Sequence, residues 1–303
     1  MASIKCAIGP SALVAAAVGI MAGAAAAAPI VEYRFDASDG STPPLSASTG
    51  TDATPIRIQS PAVVGAAGSG VSGQVGDRAF ANATVTGSSP VTGGRADHAA
   101  DDNAIDALAS FTISVWLRSP TAVALSSGRI MENVSGTAGQ LIQFSSVGNV
   151  QLQVNGNAAG NLADSGNFYS ATQTWMFFAV TYDGTATANN VKFYRGFRNA
   201  AEAGGGSPSV ALVNTLSINQ GAVGSENVAL NVFNRSANDR TLVATADNFR
   251  IDGTQTAGNA AGALTLAQLE AYRAADVVPE PAVGGALATA AVGLLARRWR
   301  AAR

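Results

Sequence analysis

The chain has 303 residues, and its 18 lysines and arginines nearly balance its 20 aspartates and glutamates, which leaves a net charge of −2. Within residues 29–278, 13 basic side chains face 19 acidic ones and form no basic stripe, which argues against nucleic acid as a partner. The only cysteine, Cys6, precedes this region, so the fold needs neither disulfides nor thiolate chemistry.

Residues 1–28 have the composition of a signal peptide. Lys5 supplies the positive start, residues 11–23 form an apolar stretch, and an alanine run offers small residues for cleavage between Ala26 and Ala28. Cys6 lacks the surrounding residues of a lipoprotein anchor. The sequence therefore predicts an exported protein whose mature part begins near residue 29.

Residues 29–278 are predicted to form one all-β domain. Apolar and polar residues alternate along six short runs, as expected of strands with one face toward a core. No amphipathic helices alternate with these runs, which disfavours a parallel α/β fold and favours two packed sheets. Residues 40–75 and 200–210 are rich in Gly, Ser and Pro and predict long loops. The predicted strands span residues 31–35, 111–117, 149–154, 190–195, 227–233 and 248–252.

One short helix is predicted near the end of this domain. Thr265 and Gln268 have the spacing of a capping box, in which each side chain bonds the other residue's backbone N–H. Leu266, Leu269 and Tyr272 follow at three-residue spacing and predict one apolar face. We expect this helix to pack on the rim of the sandwich.

The order of segments across residues 30–275 carries a family resemblance. VEYRFDASDG and GQVGDRAF (73–80) are followed by DALASFTISVWLRS, by TWMFFAVTYDGTATANNVKFYRG, and by ADNFRIDG with the helix. This order resembles laminin G-like domains, although Arg195-Gly196-Phe197 replaces the family's usual Asn-Gly or Asp-Gly hairpin. The resemblance implies a concanavalin A-like jelly-roll sandwich, a fold used for carbohydrate and protein binding, for calcium sites and by some glycanases.

Aspartates at two turns suggest a calcium site. Asp36 and Asp39 follow the first predicted strand, and Asp247 begins the closing one. Calcium takes oxygen ligands, and the resemblance implies that these turns lie close together. The alternative is that Asp36 and Asp39 only form the turn. A second acidic patch is predicted to be a solvated loop; it comprises Asp97, Asp101, Asp102 and Asp106.

Two aromatic residues are candidates for a sugar-binding platform. Trp116 lies on the polar side of its predicted strand beside Ser114, and Tyr194 lies likewise beside Lys192. An exposed ring there would stack on a sugar. The alternative is that each ring packs under a loop or under the C-terminal helix.

Catalysis is not expected from the sequence. Glycanases on this fold need two carboxylates that share one face, and no strand carries acidic residues at alternate positions. The only histidine, His98, is predicted to lie in a loop, and no Gly-x-Ser-x-Gly elbow accompanies it. We therefore expect a non-catalytic binding or structural domain. A calcium-dependent lectin and a cryptic polysaccharide-degrading enzyme stay as alternatives.

Residues 279–303 have the composition of a sorting tail. Pro279, Glu280 and Pro281 precede an uncharged run at 282–296, which is followed by Arg297, Arg298 and Arg300. As a helix this run is about 22 Å long, short of the ~30 Å hydrocarbon core of a bilayer. The basic residues after it predict that this end of the chain stays in the cytoplasm. This arrangement resembles the PEP-CTERM signal of Gram-negative bacteria. The resemblance implies transient inner-membrane anchoring, recognition by an exosortase, and release to the cell surface or an exopolysaccharide matrix, where polysaccharide or surface proteins are the expected partners.

Overall fold

The computed structural model describes residues 29–36, 45–46, 56–82, 92–101, 103–120, 128–146, 148–156, 158, 160–169 and 173–278. The predicted signal peptide (1–28) and sorting tail (279–303) lie outside these residues. Within the described ranges, no helix combines the length and the apolar composition needed to cross a bilayer.

Within the described residues, two antiparallel sheets of eight strands each pack together, which confirms the predicted all-β sandwich with one short C-terminal helix. The strands are β1 (Val31–Tyr33), β2 (Leu45–Ser46), β3 (Ile56–Gln59), β4 (Val63–Val64), β5 (Phe80–Ala81), β6 (Arg95–Asp101), β7 (Ser110–Arg118), β8 (Arg129–Ser135), β9 (Ala138–Ser146), β10 (Asn149–Val154), β11 (Leu162–Asn167), β12 (Met176–Asp183), β13 (Val191–Phe197), β14 (Ala211–Leu216), β15 (Ala229–Val232) and β16 (Thr245–Thr254).

The strand order interleaves early and late parts of the chain, as in a jelly roll. The first sheet runs β14-β13-β12-β7-β16-β5-β4, and β1 also pairs with β16. The second sheet runs β11-β10-β9-β8-β15-β6-β3-β2. Each sheet therefore joins residues from both ends of the domain, and neither sheet can form from one half of the chain.

The core lies between the two sheets and includes inward-facing residues that the alternation predicted. Ile113 and Val115 of β7 face the core, as do Leu152 of β10 and Ile251 of β16. β7 and β12 are buried along nearly their whole length on both faces, because other segments cover the outer side of the first sheet. The polar outer face that was predicted for residues 111–117 is therefore wrong.

Two loop predictions are also wrong. The region 40–75 contains β2, β3 and β4, which are too short to show an alternating pattern. His98 lies in β6, between the partners β3 and β15, and not in a loop. The sequence RADHAAD hides this strand because alanine and aspartate have low strand propensity.

The predicted helix α1 spans Leu266–Val277 and begins as expected. Thr265 is its N-cap, and the capping box with Gln268 is formed in both directions. The helix packs on the outer face of the first sheet, not on the rim, with Leu269 fully buried. Leu266 departs from the predicted apolar face, since its side chain is 44% exposed.

Candidate functional site

Trp116 and Tyr194 do not provide an exposed platform. Both are buried in a second apolar cluster between the first sheet and helix α1, which also contains Phe177 and Leu269. The Nε1–H of Trp116 donates to Oδ2 of Asp276 at 2.8 Å, which fixes the ring beneath the last helical turn. The alternative, that these rings pack under the C-terminal helix, is the arrangement that the structure shows.

A buried arginine holds the helix to this sheet. Arg250 donates to Glu32 at 2.8 Å and makes a bidentate pair with Asp276 at 2.7 and 2.6 Å. Its guanidinium also lies 5.0 Å from the ring centre of Tyr272, whose hydroxyl donates to Asp252. Burial lowers the pKa of Arg250, but the two carboxylates more than offset this, and the pKa lies above its ordinary value. The outer face of the first sheet is therefore closed.

The predicted calcium ligands are only partly brought together. Asp247 is fully buried, and its carboxylate accepts hydrogen bonds from the N–H groups of Val71 and Asn248, both at 2.8 Å. Asp36 accepts from the N–H of Arg78, and Asp39 lies outside the described residues.

A fourth carboxylate, which the sequence analysis did not single out, lies nearby. Burial raises the pKa of Asp247 well above its ordinary value, and the negative charges of Asp77 and Asp36 add to the rise. Asp77 supports the same loop by accepting from the N–H of Ser72 at 2.6 Å. Among the described residues, however, no group of three His, Cys, Asp or Glu side chains has the arrangement of a metal site.

The second acidic patch is not a solvated loop. Asp97 lies on β6, is 2% exposed, and pairs with Arg95 at 3.0 Å. Asp106 is also buried, and its carboxylate accepts from the N–H of Glu226. The side chains of Asp101 and Asp102 lie outside the described part of the chain. This prediction fails because Asp97 lies within a central strand of the second sheet, and because the backbone of Glu226, which is distant in sequence, packs against Asp106.

The outer side of the second sheet, called the polar face here, differs from that of the first. Alternate residues of its strands point away from the core, and strand pairing aligns them in rows. In one row, register places Asp97, Asn231, Glu132, Leu141, Gln153 and Leu162 side by side on β6, β15, β8, β9, β10 and β11. In a second row lie Arg129, Gln143, Gln151 and Asp164 on β8 to β11.

Amide groups link this second row across the strands. Nε2 of Gln143 donates to Oε1 of Gln151 at 2.7 Å, and the hydroxyl of Ser145 donates to Asp164 at 2.6 Å. Gln143, Gln151 and Asp164 are half-buried, so their remaining donors and acceptors stay within reach of solvent. Strands lie about 4.8 Å apart, so four strands present polar groups over about 14 Å.

An ion pair on β8, where the second row begins, is only partly exposed. Nε of Arg129 lies 3.0 Å from Oε2 of Glu132, with side-chain exposures of 13% and 17%. Burial raises the pKa of Glu132, and the charges of Arg129 and Arg235 oppose the rise. Burial lowers the pKa of Arg129, which Glu132 opposes and which Arg240 and Arg235 reinforce.

The loop at residues 234–241, called the arginine loop here, brings further charges to this edge. Asn234 is fully buried and organises the loop, because its side-chain oxygen accepts from the N–H groups of Arg235 and Arg240, both at 2.9 Å. The N–H of Arg129 donates to the carbonyl of Arg240 at 2.9 Å, which joins the loop to β8. Arg235 pairs with Asp239 within the loop.

This constellation was not predicted. Carboxylates at alternate positions of one strand are the local pattern for a shared face, whereas the fold brings Asp97 and Glu132 to one face from different strands. They lie two strands apart, which is about 10 Å between backbones. Each is already paired with an arginine, Asp97 with Arg95 and Glu132 with Arg129. The cross-strand position of β8 was not predicted, so no sequence signal identified the pair.

Comparison with known proteins supports the fold alone. A solved structure titled as a receptor-binding domain matches with a TM-score of 0.51 at 13% identity, over 82% of this chain and 50% of that one. The botulinum neurotoxin serotype G binding domain matches at 12% identity with a TM-score of 0.48, over 82% and 51%. The binding domain of botulinum neurotoxin DC, solved in complex with rat synaptotagmin II, matches at 13% identity with a TM-score of 0.47, over 82% and 51%.

The chain thus spans about half the length of the solved structures that it matches. No family model matches the sequence. No curated protein matches it either. The β-sandwich is therefore confirmed, while membership of the laminin G-like family and the PEP-CTERM character of the tail stay predictions.

Proposed function

We propose that this protein is an exported, non-catalytic binding domain that holds a polysaccharide on the polar face. In this proposal the segment 279–303 is a sorting tail processed by an exosortase, and the domain works at the cell surface or in an exopolysaccharide matrix. The observation that carries the proposal is the second cross-strand row, in which the amides of Gln143 and Gln151 and the charged groups of Arg129 and Asp164 are half-buried. Such groups match sugar hydroxyls, which both donate and accept hydrogen bonds.

The burial of both predicted platform residues shapes this proposal. Trp116 and Tyr194 are buried under helix α1, so stacking on them cannot contribute. Recognition would instead rest on hydrogen bonds from Gln143, Gln151 and their neighbours. Surface hydrogen bonds contribute about 0.5–1.5 kcal/mol each, so several must act together along an extended chain.

A glycan array with the full-length protein tests this function. We expect selective binding to extended polysaccharides, and we expect the double variant Q143A/Q151A to lose it while keeping its unfolding midpoint. The double variant Ser207→Ala with Ser209→Ala, in the loop before β14, is the matched control and should bind normally. No binding to any polysaccharide, or unchanged binding by Q143A/Q151A, would refute the proposal. Cleavage of a bound glycan that is lost in Glu132→Gln would show an enzyme instead.

Calcium binding is a second proposal, carried by the carboxylates near Asp247. Asp77 and Asp36 disfavour the charged form of Asp247, and a cation among them would relieve this repulsion. Against it, Asp247 already accepts two backbone hydrogen bonds. Asp36 and Asp39 would have to complete the ligand set, as their position in the turn suggests.

Thermal unfolding separates calcium binding from a purely structural role. A ligand that binds only the folded state raises stability by mass action. We expect millimolar calcium to raise the melting temperature and a chelator to lower it, and the variant Asp36→Asn to lose the response. Equal melting temperatures in calcium and in chelator would refute calcium binding and would leave the polysaccharide proposal untouched.

A further inference from the structure

The arginine loop contains a positive charge that no described carboxylate neutralises. On and beside the polar face, three arginines have a carboxylate partner: Arg95 with Asp97, Arg129 with Glu132, and Arg235 with Asp239. Arg240 forms no ion pair within the described ranges. Its backbone carbonyl accepts a hydrogen bond from the N–H of Arg129, so the two residues are neighbours. The edge of the polar face therefore holds one cation in excess.

The hydrogen-bonding capacity of this edge is also incomplete. Nε of Arg240 and Nη1 of Arg129 are buried, and neither has a hydrogen-bond partner among the residues that the structure describes. Leaving a buried charged donor unsatisfied is costly, more so than for a neutral group. Both donors belong to guanidinium groups, whose planar geometry suits a carboxylate or another oxyanion.

The backbone that carries the two arginines is held in place before any ligand arrives. Asn234 accepts from the N–H of Arg240 and donates to the carbonyl of Gly93 at 2.9 Å, which ties the loop to the segment before β6. Arg95 donates to the carbonyl of Ser236 at 3.1 Å from the neighbouring strand. A loop whose backbone is already ordered loses less entropy on binding an anion than a mobile one does.

We propose that Arg240 and Arg129 bind a carboxylate group of an acidic, uronate-bearing polysaccharide. This inference rests on the proposed function, and it specifies the ligand class of the same face. The row of Gln143, Gln151 and Asp164 continues from Arg129 across three further strands. A sugar chain anchored by one carboxylate at Arg240 and Arg129 would extend its hydroxyls along this row, whereas a neutral chain would leave the arginines unsatisfied.

The test compares two ligands that differ only at the carboxyl group, which is charged in one and a neutral methyl ester in the other. The full-length protein is titrated with an oligogalacturonate and with its fully methyl-esterified counterpart of the same length. We expect the carboxylated form to bind about ten- to a hundredfold more tightly, because a charge-assisted hydrogen bond in a partly buried site is lost in the ester. We also expect the preference to shrink at high salt.

Variants assign the preference to the cluster. Arg240→Met should remove most of the preference for the carboxylate, and Arg240→Lys should retain part of it by keeping the charge. Arg198→Met is the matched control, since Arg198 pairs with Glu202 in a different loop and should keep full preference. Unfolding curves of each variant confirm that the fold is retained.

The outcomes separate this inference from the proposed function. Equal affinity for both oligosaccharides, or a preference unchanged in Arg240→Met, would overturn the inference while leaving polysaccharide binding intact. Binding of polyglutamate as tightly as oligogalacturonate would also overturn it, because the site would then recognise acidic polymers in general. If the wild-type protein binds no glycan at all, both the proposed function and this inference are refuted.

Discussion

The outer faces of the two sheets have opposite chemistry, although both sheets have eight antiparallel strands. The first sheet carries Trp116 and Phe177 under helix α1, and Arg250 closes that layer with two buried carboxylates. The second sheet carries the half-buried Gln143 and Gln151 beside a row of more deeply buried polar residues. The covered face therefore contributes mainly to stability, whereas part of the polar face presents polar groups within reach of solvent.

The largest contrast is expected between the arginines of the two faces. Arg250→Met leaves Asp276 buried without this cation and leaves Glu32 to its second partner, the more exposed Arg34, which costs about 3–5 kcal/mol of unfolding free energy. Arg129→Met should cost less unfolding free energy, because its partner Glu132 is less completely buried. Urea denaturation of both variants measures the difference. An equal or greater loss for Arg129→Met would contradict the comparison.

Core packing beneath the helix gives the next largest effect. Leu269 is fully buried, and Leu269→Ala should cost about 2–4 kcal/mol through lost burial and the cavity that remains. Leu266 is 44% exposed in the same helix, and Leu266→Ala should change stability by less than about 0.5 kcal/mol. Chemical denaturation of the two variants tests whether the helix is docked in this orientation. Similar losses of unfolding free energy would show that the helix presents a different face to the sheet.

A pH-dependent effect should distinguish the covered face. Burial raises the pKa of Asp252 from its ordinary value of 3.8 to about 6, against the opposing hydrogen bond from Tyr272 and the charge of Arg250. The folded state thus holds this proton more tightly than the unfolded state does. The corresponding stability is complete below about pH 4 and is lost as the pH rises through about 6.

Asp252→Asn should abolish this contribution. The wild type should lose about 1–3 kcal/mol more than the variant between pH 4 and pH 7. Unfolding free energies measured across this range give the result, with Gln151→Ala on the polar face as a control that should follow the wild type. A constant difference between wild type and Asp252→Asn at every pH would show that Asp252 titrates normally.

The helix cap gives the smallest of these effects. Thr265→Ala should destabilise the domain by about 1 kcal/mol, because the N–H of Gln268 loses its acceptor. Thr265→Ser keeps the hydroxyl and should recover most of this loss. If the two variants lose the same amount, the methyl group of Thr265 matters and the cap does not.

The sequence predicted those elements whose signals are local. β7, β10 and β16 alternate apolar and polar residues, and Thr265 lies three residues before Gln268, so both kinds of element follow from short-range rules. β6 and the strands at 40–75 escaped, because their pairing is decided by distant partners and not by their own composition.

The candidate site depended even more on long-range contacts. Trp116 was correctly placed on the outer side of its strand, but its cover includes Asp276, 160 positions later in the chain. The polar face combines β6, β8 and β15 with the arginine loop, and none of these was recognised as a neighbour of another. Periodicity assigns a residue to a face of its own strand, but it does not indicate what the fold later packs against that face.

The ion pairs of Arg250 with Glu32 and Asp276, called the Arg250 clamp here, also have a mechanical consequence. One guanidinium group binds Glu32 near the start of the domain and Asp276 near its end, so the two ends of the domain lie side by side. A force applied between these two ends would act first on the ion pairs of Arg250, before any strand separates from its sheet. Tension from either flank would therefore peel helix α1 away while leaving the polar face, on the opposite sheet, in its resting shape.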